Sequence, residues 1–299
     1  MNKVKIITDS CADMGKELRD KYDVDYARMS VTWSGEEKYA STDWDLYTVK
    51  EFYDAMRNGV RITTNQVAAP EFERVFGMYM EQGVDIVYIA CSSALSGSYN
   101  VAQIVAKNFA VKYPDRKIIC VDPKNSCGGE ALLVIEAAKL AEQGLSAQEI
   151  ADRINAVSPQ CLQFCTADSL TYLKRAGRVK ASAAFFGNLF GIKPIIISNA
   201  KGENEAVKKV KGKKNSQDAC VDMLKAAIDQ GEVPASEQTI FVVHGDCIED
   251  AEYLAEQVRQ KIAPKDVYIN TIGPIIGASV GPGAVAVYGF GNPDATVGE

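Results

Sequence analysis

One histidine, His244, is all that 299 residues contain, and only two tryptophans accompany it. A zinc site assembled from paired Cys and His ligands is not expected with that shortage, because such sites need four soft or borderline donors at close spacing. Eight cysteines are present, but they are irregularly spaced, with Cys161 and Cys165 the nearest pair, and several sit in apolar runs. They read as free buried thiols rather than a disulfide framework. Basic charge is also short: the net charge is −6, so the general phosphate-backbone affinity of a nucleic-acid binder is not expected. No apolar run approaches the roughly 18 residues of a membrane span, and Val4-Lys5-Ile6-Ile7 is not a signal-peptide core. A cytoplasmic protein without integral membrane anchoring is expected. Neither a P-loop nor a kinase Gly-rich loop occurs, which leaves the chain without a recognisable ATP site of its own.

What is present is the composition of a globular protein, 47% hydrophobic and 24% charged, long enough for about two domains. Strand-like runs at Val4–Thr8, Ile86–Ala90 and Lys117–Val121 alternate with helical spacing over Met14–Tyr22, Pro70–Gln82, Val101–Tyr113, Gly129–Gln143 and Ala147–Val157. That alternation predicts a parallel α/β sheet. Residues 24–39 read as a hairpin turning at Ser34-Gly35, an excursion from the sheet. Beyond residue 157 come strands at Leu162–Thr166, Ile195–Ser198, Ala206–Lys211, Ile240–His244, Val267–Ile272 and Ala284–Phe290, with fewer helices between them. Adjacent strands without a crossover call for antiparallel pairing. The predicted organisation is an α/β domain over 1–157 and an α+β domain over 158–299.

The stretch Asp85–Asn100 holds the strongest local signal. An apolar strand breaks into Cys91-Ser92-Ser93-Ala94-Leu95-Ser96-Gly97-Ser98-Tyr99 ahead of an amphipathic segment. Hydroxyls and free N–H groups collect at such a helix N-terminus, where the dipole favours a carboxylate or phosphate. Beside it stand Ile7-Thr8-Asp9-Ser10, Thr63-Thr64-Asn65-Gln66, Leu173-Lys174-Arg175-Ala176-Gly177-Arg178-Val179, and Gly273 to Gly283.

In this order and at these separations the segments resemble the DegV family, bacterial fatty-acid-binding proteins that include the binding subunits of fatty-acid kinase. The resemblance covers nearly the whole chain. It implies a DegV-like fold of two domains, with a fatty-acid carboxylate in the cleft between them and the acyl chain in an apolar tunnel. It further implies head-group contacts from Thr64, from Ser96, and from Ser279, which stands where the family has a histidine. Asp9, Ser10, Ser93 and Gly97 are expected as pocket neighbours. Phe185, Phe186, Leu189, Phe190, Ile195 and Ile197 are candidates for the tunnel wall. Arg178, and Lys211 where relatives usually have arginine, are expected to meet a separate ATP-dependent kinase. No catalytic residue, metal or cofactor is expected, only the fatty acid as ligand, and the chain is expected to be a monomer.

Two departures bear on the chemistry. An imidazole can become cationic beside a carboxylate, whereas Ser279 offers one neutral hydrogen bond. Lys211 keeps the charge of arginine and loses its fork. The letters Gly277-Ala278-Ser279-Val280-Gly281 match a hydrolase nucleophile elbow, but Pro282-Gly283 and a strand-like run follow and the sole histidine lies upstream, so the glycines are read as permitting close backbone approach in a turn between strands. The competing reading is an autonomous enzyme acting on a small phosphorylated or carbonyl substrate with Ser96, Asp9 and His244. His244 itself is read as a hydrogen-bonded strand-end residue.

Overall fold

The computed structural model describes residues 4–186 and 191–296. Leu189 and Phe190, and the Phe186 side chain, lie outside what is described. The first apolar run forms β1 (Val4–Asp9), flanked by β2 (Val24–Ala27) and β6 (Asp85–Ile89), with β7 (Ile118–Val121) beyond; all pair in parallel in the order β2-β1-β6-β7. Parallel strands are covered on both faces, which is why β1 and β6 read as nearly continuous apolar stretches rather than alternating ones.

Helices α1 (Lys16–Tyr22), α3 (Ala69–Met80), α4 (Ser98–Lys112), α5 (Cys127–Glu142) and α6 (Ala147–Val157) fall within a few residues of their sequence-based positions. Their starts have local causes: Pro70 lies in the first turn of α3, and Ser146 and Glu149 close a capping box at α6. A small antiparallel sheet, β4 (Glu36–Tyr39), β3 (Ser30–Trp33) and β5 (Ile62–Asn65) in that order, contains the expected turn at Ser34-Gly35. The hairpin reading of residues 24–39 is corrected at its start, since Val24–Ala27 joins the main sheet. Helix α2 (Val49–Arg57), with a Thr48–Glu51 capping box, and strand β5 were not foreseen.

The second half forms a six-stranded mixed sheet ordered β10-β9-β8-β13-β11-β12, from β8 (Cys161–Thr166), β9 (Ile192–Ser198), β10 (Asn204–Lys211), β11 (Thr239–His244), β12 (Asp266–Thr271) and β13 (Val285–Phe290). Only β11 with β12 is parallel; the other pairs are antiparallel. Helices α8 (Lys213–Asp229) and α9 (Ile248–Lys261) cover one face. The other face meets α5, which also packs on β1. Contact with both sheets explains why α5 is apolar nearly all round, Glu130 included in the buried set, where a surface helix would carry a polar face.

Two short helices join the halves near the cleft, α7 (Thr171–Ala176) and α10 (Pro274–Val280). The segment Gly273 to Gly283 was expected as a turn between strands. Instead Pro274 starts a helix that packs against α7, α2, β3 and β5. The close approach inferred for its glycines is real: a Cβ on Gly277 would stand 2.5 Å from the Tyr53 hydroxyl, which donates to the Ile272 carbonyl at 2.8 Å.

Candidate functional site

A cavity of about 310 Å³ lies between the halves, and Thr64, Ser96, Gly97 and Ser279 all line it. Strand β5 supplies Thr64, paired opposite Val31 of β3. Ser96 sits in the turn between β6 and α4, and Ser279 on the last turn of α10. The three hydroxyls that the sequence separates by up to 215 positions therefore share one cavity.

Ser96 stands in a hydrogen-bonded turn with Ser98. The Val67 N–H donates to Ser98 Oγ at 3.1 Å, Ser98 Oγ lies 3.0 Å from Ser96 Oγ, and the Ser98 N–H donates to Ser96 Oγ at 3.2 Å. With Ser98 as donor to Ser96, the Ser96 oxygen accepts twice and its own proton is left for a ligand. Gly97 allows this turn to close on Gln66, since a Cβ there would lie 2.0 Å from Gln66 Oε1. Ser279 donates only a long bond, 3.4 Å, to the Ile275 carbonyl one turn back, a weak interaction that an anionic acceptor can replace.

Arg178 also lines the cavity and is its one charged residue among the described lining. Nε donates to the Leu95 carbonyl at 3.0 Å and Nη1 to the Ala176 carbonyl at 2.5 Å, which tethers the guanidinium to the Ser96 turn. Gly177, in the left-handed region at φ 68°, ends α7 and turns the chain so that Arg178 follows at once. Arg178, expected to meet a kinase, thus also stands beside the expected head-group hydroxyls. Lys211 is exposed at the end of β10 and does not line the cavity.

The apolar wall follows the two-residue period of the second sheet. Cys165, Ile196, Ala286 and Tyr288 face the cavity and α5, with Gln163 among them. Their neighbours Phe164, Ile195, Val285 and Val287 point into the core beneath α8 and α9. Ile195 and, half-buried, Ile197 thus belong to the opposite face from the one expected, and Ile196 takes the wall position. Phe185 packs at the margin of the other core, with the Lys209 ammonium 5.2 Å from its ring centre. Gln163 is satisfied within the wall by Asn204 at 3.1 Å and the Tyr288 hydroxyl at 3.2 Å.

Asp9, Ser10 and Ser93 do not line the cavity. Asp9 accepts from the Tyr88 hydroxyl at 2.7 Å and from two backbone N–H groups; burial raises its pKa, and those hydrogen bonds oppose the rise. Ser10 bonds the Ala40 carbonyl, and Ser93 receives Lys124 Nζ at 3.3 Å. His244 is a strand-end residue: its Nδ1 accepts from the Cys247 N–H at 3.2 Å, so the proton sits on Nε2, 3.4 Å from Thr271 Oγ1. Burial lowers its pKa against the opposing pull of Asp246 and Asp250. Of Ser96, Asp9 and His244 only Ser96 lines the cavity, and none hydrogen-bonds another.

Another cavity, of about 320 Å³, opens between α1, α5 and β12, but acids and lysines are mixed around it: Glu17, Glu136 and Asp266 with Lys21, Lys139 and Lys265. It lacks a cluster of hydroxyls around a single cation. A narrower cleft of about 300 Å³ shares Thr64, Arg178 and Ser279 with the first cavity and adds Arg61 and Arg175.

A model of the DegV family, described as an uncharacterised protein family, matches residues 3–290. The chain belongs to the DegV family. A DegV domain-containing protein of Clostridium perfringens is 39% identical, over 98% of this chain and 99% of that one. Among solved structures, a DegV lipid-binding protein from Thermotoga maritima superposes with a TM-score of 0.84 at 26% identity, covering 96% of this chain and 97% of the other. A stearic-acid-binding protein from Eubacterium ventriosum gives 0.85 at 25% identity, covering 98% and 99%. The two-domain α/β layout is that of DegV structures.

Proposed function

We propose that this DegV protein holds a long-chain fatty acid, with the carboxylate against Thr64, Ser96, Ser279 and Arg178 and the acyl chain along Ile196, Ala286 and Tyr288. The observation that carries the reading is the convergence of three hydroxyls and one guanidinium on a cavity with an otherwise uncharged lining. Burial of an acyl chain supplies about 0.8 kcal/mol per methylene, so affinity comes mainly from the chain. The polar end sets register and orientation. Arg178 takes over the charge neutralisation for which the family resemblance would use a histidine at position 279. The lipid and stearic-acid binding ascribed to the two solved relatives favours the same ligand class.

Presentation to a separate ATP-dependent kinase is the second part of the proposal. It is supported by the arginine-lined cleft, which adjoins the head-group residues and offers Arg61 and Arg175 to a phosphoryl group's added charge. A division near residue 157, a monomer and a cytoplasmic setting complete the reading; the eight cysteines are all unpaired, as a reducing compartment keeps them. The autonomous-enzyme reading has no comparable support, because its three residues are not assembled.

Thr64→Ala and Ser96→Ala are each expected to weaken binding of a fluorescent fatty acid by about 1 to 3 kcal/mol, the cost of removing one partner of a buried polar group, with unchanged circular dichroism. Parent affinity in both variants would remove the head-group assignment.

A further inference from the structure

A line of hydrogen bonds runs through the wall of the cavity. The Arg178 carbonyl, which can only accept, takes a bond from Asn204 Nδ2 at 3.2 Å. That fixes the direction of the rest: Asn204 Oδ1 accepts from Gln163 Nε2 at 3.1 Å, and Gln163 Oε1 accepts from the Tyr288 hydroxyl at 3.2 Å. Tyr288 therefore ends the line with its proton spent and its oxygen still able to accept. Asn204, Gln163 and Tyr288 all line the cavity, and so does Ser126. Ser126 is 5% exposed, and its hydroxyl makes no hydrogen bond among the described residues. It is the N-cap of α5, a position where a serine side chain ordinarily bonds an amide of the first turn. Here that bond is not made, and the next residue, Cys127, stands in the left-handed region at φ 53°. The start of α5 rests on the Tyr288 ring, since a Cβ on Gly128 would lie 2.6 Å from Tyr288 Cδ2. An open donor at Ser126 and an open acceptor at Tyr288 thus share a wall that is otherwise largely apolar, and an unsubstituted alkyl chain laid along it would leave both without a partner.

We infer that the ligand is a hydroxylated fatty acid, whose chain hydroxyl accepts from Ser126 and donates to Tyr288. The inference rests on the fatty-acid reading and names the member of that class which the wall fits. A hydroxyl suits the pair because it donates and accepts at once, whereas a ketone only accepts. A second carboxylate would find no cation of its own, since Arg178 is the one charged residue of the described lining. The place of the hydroxyl follows from the strand. Tyr288 stands two residues beyond Ala286 on β13, about 7 Å further from the α10 end at the rise of a strand. The hydroxyl therefore belongs along the chain and not beside the carboxylate. A site built to hydrogen-bond a hydroxyl discriminates against the analogue that lacks it.

The experiment displaces a fluorescent fatty acid from the delipidated full-length chain with stearate and with hydroxystearates that carry the hydroxyl at successive carbons from the second outward. Isomers hydroxylated in the middle of the chain should bind about tenfold more tightly than stearate, the worth of about one net hydrogen bond. Ser126→Ala and Tyr288→Phe should each cut that preference to about threefold or less. Both variants keep the packing at the start of α5, because Ser126 makes no cap bond and Tyr288→Phe retains the ring; circular dichroism melts show whether each folds. The preference of the parent is itself a test that needs no variant. Stearate bound as tightly as every isomer would overturn the inference and leave the fatty-acid reading standing. A preference confined to hydroxyls on the second or third carbon would overturn it too, as would a preference undiminished in both variants. Failure of stearate and every isomer to bind would overturn the fatty-acid reading and this inference together.

Discussion

Arg178→Ala is expected to lower the affinity for a fatty acid at least tenfold while leaving the affinity for the corresponding methyl ester nearly unchanged. Hydrogen bonds to a charged partner contribute about 1.5–3 kcal/mol, and Arg178 supplies the one charge in the described cavity lining. Its Nε and Nη1 are tied to the Leu95 and Ala176 carbonyls, so the guanidinium is held in place before the ligand arrives and little side-chain entropy remains to be lost. Exposure at the cavity mouth makes the interaction sensitive to screening. Raising the salt concentration should therefore weaken the parent toward the variant and leave the variant's affinity flat. Arg178→Lys should recover part of the loss, because charge returns without the fork. A methyl ester that loses affinity in step with the acid would make Arg178 a packing residue, and equal acid affinity in parent and variant would take it out of the head-group site.

Gly202→Ala is expected to lower stability by about 3 kcal/mol and to impair ligand binding as well. Gly202 turns β9 into β10 at φ +77°, where an L side chain is strained. Strain alone is worth about 1 kcal/mol. The larger part is steric: an added Cβ would lie 2.2 Å from Ser92 Oγ and 2.9 Å from the Lys124 Cα, a backbone atom that cannot swing aside. Ser92 Oγ donates to the Gly202 carbonyl at 2.9 Å, and the Ser92 carbonyl accepts the N–H groups of Leu95 and Ser96. Displacing the hairpin tip therefore moves the turn that carries Ser96. Gly83→Ala is the comparison, since Gly83 has φ +71° with nothing within 4 Å of a built Cβ, and only the strain should appear. Urea midpoints of the two variants separate the contributions; equal shifts would show that the hairpin yields without cost.

Much of this architecture was legible in the chain. Parallel strands such as β1 and β6 announce themselves by continuous apolar runs, and α5 and α6 by helical spacing. The elements missed were those whose signal is tertiary. Helix α10 is only seven residues long, with Gly277 at its centre, so its helicity rests on packing against α2, α7 and β3 rather than on propensity. Strand β5, Ile62-Thr63-Thr64-Asn65, is too short to show alternation. The hydroxyls Thr64, Ser96 and Ser279 were found through motif resemblance, which no periodicity supplies. That Arg178, expected at a kinase surface, also lines the cavity was not legible, because exposure in a basic run says nothing about which carbonyls tether the side chain. Ile196 was missed in favour of Ile195 and Ile197 by a single step of register, the step that exchanges the two faces of a strand.

Native mass spectrometry of the chain, purified without added lipid and transferred gently from solution, tests the central claim most directly. The account predicts a mass shift equal to one long-chain fatty acid per protein, released on collisional activation as a carboxylate and reduced in occupancy by Arg178→Ala and Ser96→Ala. A parent protein that carries no lipid and takes up none from a fatty-acid mixture would contradict it.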